Sequence, residues 1–278
     1  MKTCKFLFLT SLLVILAVDV RATELCGYLA QGEILVGNAG VKSEVYLNGE
    51  PLLVDEKGNF LLAWGRDENK EQKLSIKTAD GKIANYELKI EPTKWNVQNI
   101  TGVPPRKVNP SDGDLAAINK ENKLLKKALK TKNADVDWRG GFIRPVEGRV
   151  SGEFGGQRIM NKVPKSPHRG MDIAAKEGTE VRAAADGKVV LAYPDLFYSG
   201  NLIVVDHGFG LQTIYAHLSK MNVKLNDKVK QGDVIGLVGK TGRATGPHLH
   251  FGASLRDVRF NPQSLLDMNS NLQKCFTL

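Results

Sequence analysis

TGPHLHFG, Thr245 to Gly252, places two histidines two residues apart in an apolar run bounded by glycines. Side chains alternate along an extended segment. His248 and His250 therefore share one face, while Leu249 and Phe251 point into a core. A His-x-His pair on a strand presents nitrogens to one side of a sheet, as a metal requires. The chain has five histidines, and the others are His168, His207 and His217. All of them fall in the C-terminal half, so the clustering calls for a chemical reason.

In PHRGMDIA (Pro167–Ala174), His168 and Asp172 stand four apart. Pro167 and Gly170 argue against a helix, and an even separation on extended chain keeps both on one face. A histidine nitrogen and a carboxylate oxygen both suit zinc. In IYAHLS (Ile214–Ser219), Tyr215 and His217 alternate with Ile214, Ala216 and Leu218. A polar face on a buried strand needs partners, because an unpaired buried imidazole is costly. His207 precedes Gly208-Phe209-Gly210 and reads as a surface turn histidine. His168, Asp172, His217, His248 and His250 together supply three ligands and two further imidazoles. Three protein ligands leave one tetrahedral position open, which is the catalytic zinc arrangement.

In that order, HRGMD (His168–Asp172), YAHL (Tyr215–Leu218) and GPHLHFG (Gly246–Gly252) resemble the lysostaphin-like (LytM-type) zinc metallopeptidases that cut peptidoglycan peptides. The resemblance runs over Phe142–Pro262. It takes in SGEFGGQR (Ser151–Arg158), GTEVRAAADGKV (Gly178–Val189), QGDVIGLVGKTG (Gln231–Gly242) and the closing Asn261-Pro262. It implies one zinc ion per chain, bound by His168, Asp172 and His250, with His217 and His248 as catalytic histidines. Arg158 and Tyr215 are candidates for substrate contact. The implied reaction is hydrolysis of a wall-peptide amide by a zinc-activated water. The bond expected is the D-alanyl–diaminopimelyl cross-link of a D,D-endopeptidase. A glycyl-glycine endopeptidase is one alternative. A non-catalytic activator of another cell-wall hydrolase is a second, and the intact set of five residues argues against it.

The start of the chain fits this reading. A basic segment, the apolar run Phe6–Val18 and Ala22 read as a signal peptide over residues 1–22, too short to be a comfortable membrane span. Export is expected, to the periplasm, with secretion or envelope association as alternatives. No stable membrane span is expected after cleavage. Net charge is +9. Lys2, Lys5 and Arg21 against Asp19 give the leader a surplus of two, leaving about +7 on the rest. A basic exported protein suits an acidic wall polymer, and peptidoglycan peptide stems are the expected partner. The lysines are dispersed and no aromatic-plus-basic recognition motif is present, so nucleic acid is not expected. Cys26 and Cys275 remain after cleavage, an even pair that suggests a disulfide in an oxidising compartment.

The composition is that of a globular protein, 42% hydrophobic and 25% charged. The expected organisation is mostly β. Residues 23–104 form an N-terminal β-sandwich-like domain. In it Asn48-Gly49 signals a hairpin, and DEKGNFLLAW (Asp55–Trp64) and TADGKIANYELKI (Thr78–Ile90) repeat the pattern. Residues 105–137 form a linker, with Ser111 or Asp112 capping an amphipathic helix over Leu115–Leu129. Leu115, Ile118, Asn122, Leu125 and Leu129 share one face, and lysines between Lys120 and Lys132 fill most of the other. Residues 138–268 form the glycine-punctuated, β-rich zinc peptidase domain, and 269–278 a C-terminal tail. The N-terminal domain or the linker helix is expected to cover the groove until the wall or a regulatory envelope protein displaces it.

Overall fold

The computed structural model describes residues 23–68 and 71–278; the signal peptide expected over residues 1–22 lies outside the described residues. The N-terminal strands are β1 (Glu24–Cys26), β2 (Ile34–Asn38), β3 (Glu44–Leu47), β4 (Glu50–Leu52), β5 (Asn59–Ala63), β6 (Gln72–Lys77), β7 (Ile83–Leu88) and β8 (Val97–Ile100). A short helix α1 (Pro105–Val108) and the long helix α2 (Asp112–Leu129) follow. The C-terminal strands are β9 (Arg149–Gly152), β10 (Gln157–Met160), β11 (Val163–Pro164), β12 (Met171–Ala174), β13 (Glu180–Arg182), β14 (Gly187–Leu196), β15 (Gly200–Asp206) and β16 (Leu211–Leu218). Beyond them lie β17 (Lys220–Met221), β18 (Lys228–Val229), β19 (Val234–Leu237), β20 (His248–Leu255) and β21 (Val258–Phe260). Helices α3 (Pro262–Leu266) and α4 (Met268–Asn271) and strand β22 (Cys275–Thr277) complete the chain.

The N-terminal sandwich has sheets of order β22-β1-β2-β5 and β4-β3-β6-β7. Asn48 and Gly49 join β3 to β4 with φ of 52° and 84°, the two left-handed positions of a type I′ turn. Leu35, Phe60 and Leu62 face the sandwich core beside Val45 and Leu74. Their neighbours Ile34, Val36, Leu61 and Ala63 point the other way and join the core of the C-terminal region. Strands β2 and β5 are thus buried on both faces, which is why ILVG and FLLA are continuous apolar runs without alternation.

The long C-terminal sheet has the order β18-β14-β15-β16-β20-β12-β9, with β21 paired to β20. One face carries Ile203, Val205, Tyr215, Leu249 and Phe251 into the main core. The other packs Leu202, Val204, Ile214 and Ala216 against Ala128 and Leu129 of α2. The helix begins at Asp112 because Ser111 accepts from the Asp114 backbone N–H while the Asp114 carboxylate accepts from the Ser111 N–H. Leu115 is exposed, and the anchoring side chains are Ile118, Leu125, Ala128 and Leu129.

Two segments cross the expected boundaries. Strand β8 pairs in parallel with β10, so residues 97–100 extend a small sheet of the C-terminal region. Residues 269–278 are not a free tail. Strand β22 pairs with β1, Phe276 and Leu278 pack against the sandwich core, and Cys26 and Cys275, directly opposite each other, form a disulfide. Apolar residues at alternate positions reward docking on a sheet edge. Among the described residues no helix is long and apolar enough to cross a membrane.

Candidate metal centre

Strands β12 and β20 lie side by side with Asp172 opposite His250 and Ala174 opposite His248. Directly paired residues share a face, so Asp172, His248 and His250 emerge together on the sheet surface that α2 partly covers. Leu249 and Phe251 point the other way and are fully buried. His168 arrives from the loop before β12. Between it and Asp172, Gly170 keeps clear the space of the His250 ring: a Cβ there would lie 2.6 Å from His250 Nε2.

Three donor atoms converge. His168 Nε2 lies 3.0 Å from His250 Nδ1 and 3.1 Å from Asp172 Oδ1, and His250 Nδ1 lies 2.9 Å from Asp172 Oδ1. The other nitrogen of His168, Nδ1, is 2.9 Å from the Glu153 carbonyl. A carbonyl only accepts, so Nδ1 carries the proton and the Nε2 lone pair faces the cluster. Imidazole lone pairs and a carboxylate packed this closely repel unless a proton or a cation lies between them. Two nitrogens and an oxygen near 3 Å apart suit a small cation about 2 Å from each. The donor set fits zinc. Burial lowers His250 to about 4, partly offset by Asp172, and likewise lowers His168. Both imidazoles are therefore neutral at pH 7, the form that binds metal.

His217 reaches this cluster through a bulge. Asn201 pairs with Leu218 and Ile203 with Tyr215, so Ala216 and His217 together oppose Leu202. His217 has φ of 65°, and this left-handed residue turns its ring to the same face as Ala216 and His250. Its Nδ1 donates to the Thr241 carbonyl at 2.8 Å, leaving Nε2 unprotonated. Burial, then the neighbouring His248 and His250, lower it to about 3. The His248 ring lies 4.8 Å from that of His217. His248 Nδ1 donates to the Gly246 carbonyl, and its Nε2 is 3.7 Å from Asp172 Oδ1. Both rings present a free Nε2 beside the donor cluster. The cluster opens into a cleft of about 390 Å³ that also touches Asn122 and Leu125 of α2.

Other sequence readings change. Tyr215 does not line the cleft. The bulge separates it from His217, it is 0% exposed, and its hydroxyl accepts from the Ala184 N–H and lies 2.9 Å from the Thr213 hydroxyl. Substrate contact through Tyr215 is excluded by that burial. Arg158 borders the cleft, but its guanidinium donates to Asp172 Oδ2 and to Gln98. His207 is not a surface histidine: it is fully buried, with Nδ1 on the Asp186 carbonyl and Nε2 on the Thr213 hydroxyl. Sequence reasoning missed the carbonyls of Glu153, Thr241 and Gly246, which set the tautomers. Backbone acceptors leave no residue-type signal.

Residues 166–262 match peptidase family M23. Over 129 residues the chain is 42% identical to the DD-carboxypeptidase/endopeptidase Mpg of Neisseria meningitidis, covering 46% of this chain and 30% of that protein. Over 125 residues it is 42% identical to the peptidoglycan DD-endopeptidase ShyA of Vibrio cholerae, covering 43% of this chain and 28% of that protein. The chain thus spans about a third of the length of these curated relatives. A solved structure of a putative peptidase M23 from Pseudomonas aeruginosa aligns over 87% of this chain and 96% of its own, at 28% identity and a TM-score of 0.66.

Proposed function

From a chain that carries a peptidase family M23 domain at residues 166–262, we propose an exported zinc metallopeptidase that hydrolyses peptide cross-links of peptidoglycan. The expected bond is D-alanyl–diaminopimelyl. The observation that carries this reading is the convergence of His168, Asp172 and His250 beside two histidines whose Nε2 atoms are free. The similarity to Mpg, named as a DD-carboxypeptidase/endopeptidase, and to ShyA, named as a peptidoglycan DD-endopeptidase, supports it. The signal-peptide pattern of residues 1–22 and the disulfide support an oxidising compartment outside the cytoplasm, the periplasm in the first instance.

His168, Asp172 and His250 would hold the zinc. When bound, zinc supplies Lewis-acid polarisation of a carbonyl and raises the acidity of water. His248, whose Nε2 lies close to Asp172, takes a proton from the attacking water. His217, fixed by the Thr241 carbonyl, points its unprotonated Nε2 to the same side and accepts a hydrogen bond from the attacking water. The proton then passes to the departing amine, so that water is added across the amide. Arg158 holds Asp172 in place, its guanidinium bridging Gln98 and the carboxylate.

The test is mass spectrometry of purified peptidoglycan incubated with the mature chain, with and without a zinc chelator. New uncross-linked peptides, lost on chelation, are expected, and their masses identify the bond. His217→Gln should retain one zinc per chain and lose about 10²–10⁴-fold in kcat, whereas His250→Ala should lose the metal. An intact wall after incubation with zinc-loaded protein would overturn the peptidase reading in favour of an activator.

A further inference from the structure

The cleft holding His217 and His250 is also bordered by Arg243 and Arg259. Both arginines are half-buried. Other half-buried arginines are matched by the fold: Arg139 by Asp55 and Glu56, Arg158 by Asp172, Arg256 by the Leu61 carbonyl. Among the described residues Arg243 and Arg259 have no such match. The Arg243 guanidinium stacks on the Tyr198 ring, 4.2 Å from its centroid, and its backbone N–H donates to the Tyr198 carbonyl. No carboxylate lies within ion-pair distance of either.

Arg259 is placed by the sheet. It pairs with Ser254 on β20, which puts it on the face of His248, His250 and Gly252. Its guanidinium lies over Gly252, the next residue on that face after His250; a Cβ at Gly252 would sit 3.2 Å from Arg259 Nη1. Glycine at this position lets a cation approach the histidine cluster. Asp257, two residues earlier, forms no ion pair with it. Burial, then the charge of Arg169, lowers Arg259 to about 10. The charge of Asp257 offsets this only in part, and a cation drawn out of water with no ion-paired carboxylate is unfavourable unless a ligand supplies one.

We propose that Arg243 and Arg259 form a carboxylate-binding subsite that selects peptides bearing a carboxylate on the carbon attached to the leaving nitrogen. This rests on the peptidase reading and sharpens it. In a D-alanyl–diaminopimelyl cross-link the leaving nitrogen is bonded to a carbon that carries a carboxylate. A glycyl-glycine bond inside a bridge has no carboxylate there. The guanidinium fork accepts a carboxylate through two parallel N–H···O bonds, and an ammonium cannot reproduce that geometry.

The experiment uses the zinc-loaded mature chain and two synthetic cross-linked peptides. They differ only in that group, free carboxylate or carboxamide. The wild type should prefer the carboxylate by about 10- to 100-fold in kcat/KM, as loss of a charge-assisted hydrogen bond implies. In Arg259→Gln and Arg243→Gln the preference should shrink towards unity, and Arg259→Lys should recover part of it. Equal cleavage of both peptides by the wild type, or a preference that survives in both glutamine variants, would overturn the subsite. The wild-type comparison decides even where a variant fails to fold. If the wild type cuts neither peptide, the peptidase reading falls, and calorimetric binding of the same pair still decides the subsite. Tighter binding of the carboxylate, lost in Arg259→Gln, supports it; equal binding overturns it.

Discussion

His217 occupies a left-handed backbone conformation, which costs a non-glycine residue about 1–3 kcal/mol. Its N–H donates to the Ser199 carbonyl and its Nδ1 to the Thr241 carbonyl, and these bonds hold it there. Without the bulge, alternation would send its ring into the core beside Tyr215. Arg158 acts through Asp172, because it bonds the carboxylate oxygen that does not face the histidines. Arg158→Ala is expected to weaken zinc binding about 10- to 100-fold, read by competition with a chelator; unchanged affinity would show that Asp172 needs no such support. His207 reports on acid stability. Burial lowers it to about 4, against 6.5 when exposed. Between those values the unfolded chain binds the extra proton. Its contribution is therefore complete above pH 6.5 and is lost as pH falls towards 4, by roughly 3 kcal/mol in all. Urea midpoints measured at pH 7.5 and 5 should converge more closely in His207→Gln than in the wild type.

Helix α2 shows what an element's sequence tells and withholds. Its length, cap and apolar stripe were legible in Ser111, Asp114 and the spacing of Ile118, Leu125 and Leu129. The surface it covers was not. It lies on Leu202, Ile214 and Ala216, beside the histidine cluster, and Asn122 and Leu125 reach the cleft. Leu129 is 2% exposed at this contact. Leu129→Ala is expected to cost about 2–5 kcal/mol in urea unfolding; a loss below about 1 kcal/mol would mean that the helix is only loosely docked. Strand β20 was the most legible element, because alternation on an extended chain requires neither partner nor context to place His248 and His250 together.

At the scale of the whole molecule, the N-terminal sandwich is packed into the C-terminal domain rather than tethered to it. Ile34, Val36, Leu61 and Ala63 complete the core that contains Phe209, Phe260 and Leu265. Arg139, at the start of the C-terminal domain, reaches Asp55 and Glu56, and the Ile34 N–H donates to Ser264 Oγ. A chain truncated to begin at Trp138 would uncover those apolar residues. It is expected to aggregate or to lose cooperative unfolding, read by soluble yield and thermal melting. A soluble, cooperatively melting fragment would show that the shared core is dispensable. Helix α2 borders the cleft of His217 and His250, and Gly65–Glu68 of the N-terminal domain line the adjoining cleft that shares His168 and Arg259 with it.

The sequence by itself determined which chemistry-bearing residues this protein carries and how they are spaced. Residue type and local periodicity are properties of short segments, so the candidate set His168, Asp172, His217, His248 and His250, the hairpin at Asn48-Gly49 and the helix were readable from spacing, while the division of that set into donors and a second pair came from the resemblance to the lysostaphin-like metallopeptidases. Only the tertiary structure decided which residues meet across long separations. It buried Tyr215 and His207, turned His217 through a bulge, committed Arg158 to Asp172 and left Arg243 and Arg259 facing the cleft with no ion-paired carboxylate among the described residues. It also drew residues 275–277 onto the first strand of the N-terminal sheet. Those outcomes depend on which surfaces exclude water together, and that is settled by packing between segments far apart in the chain.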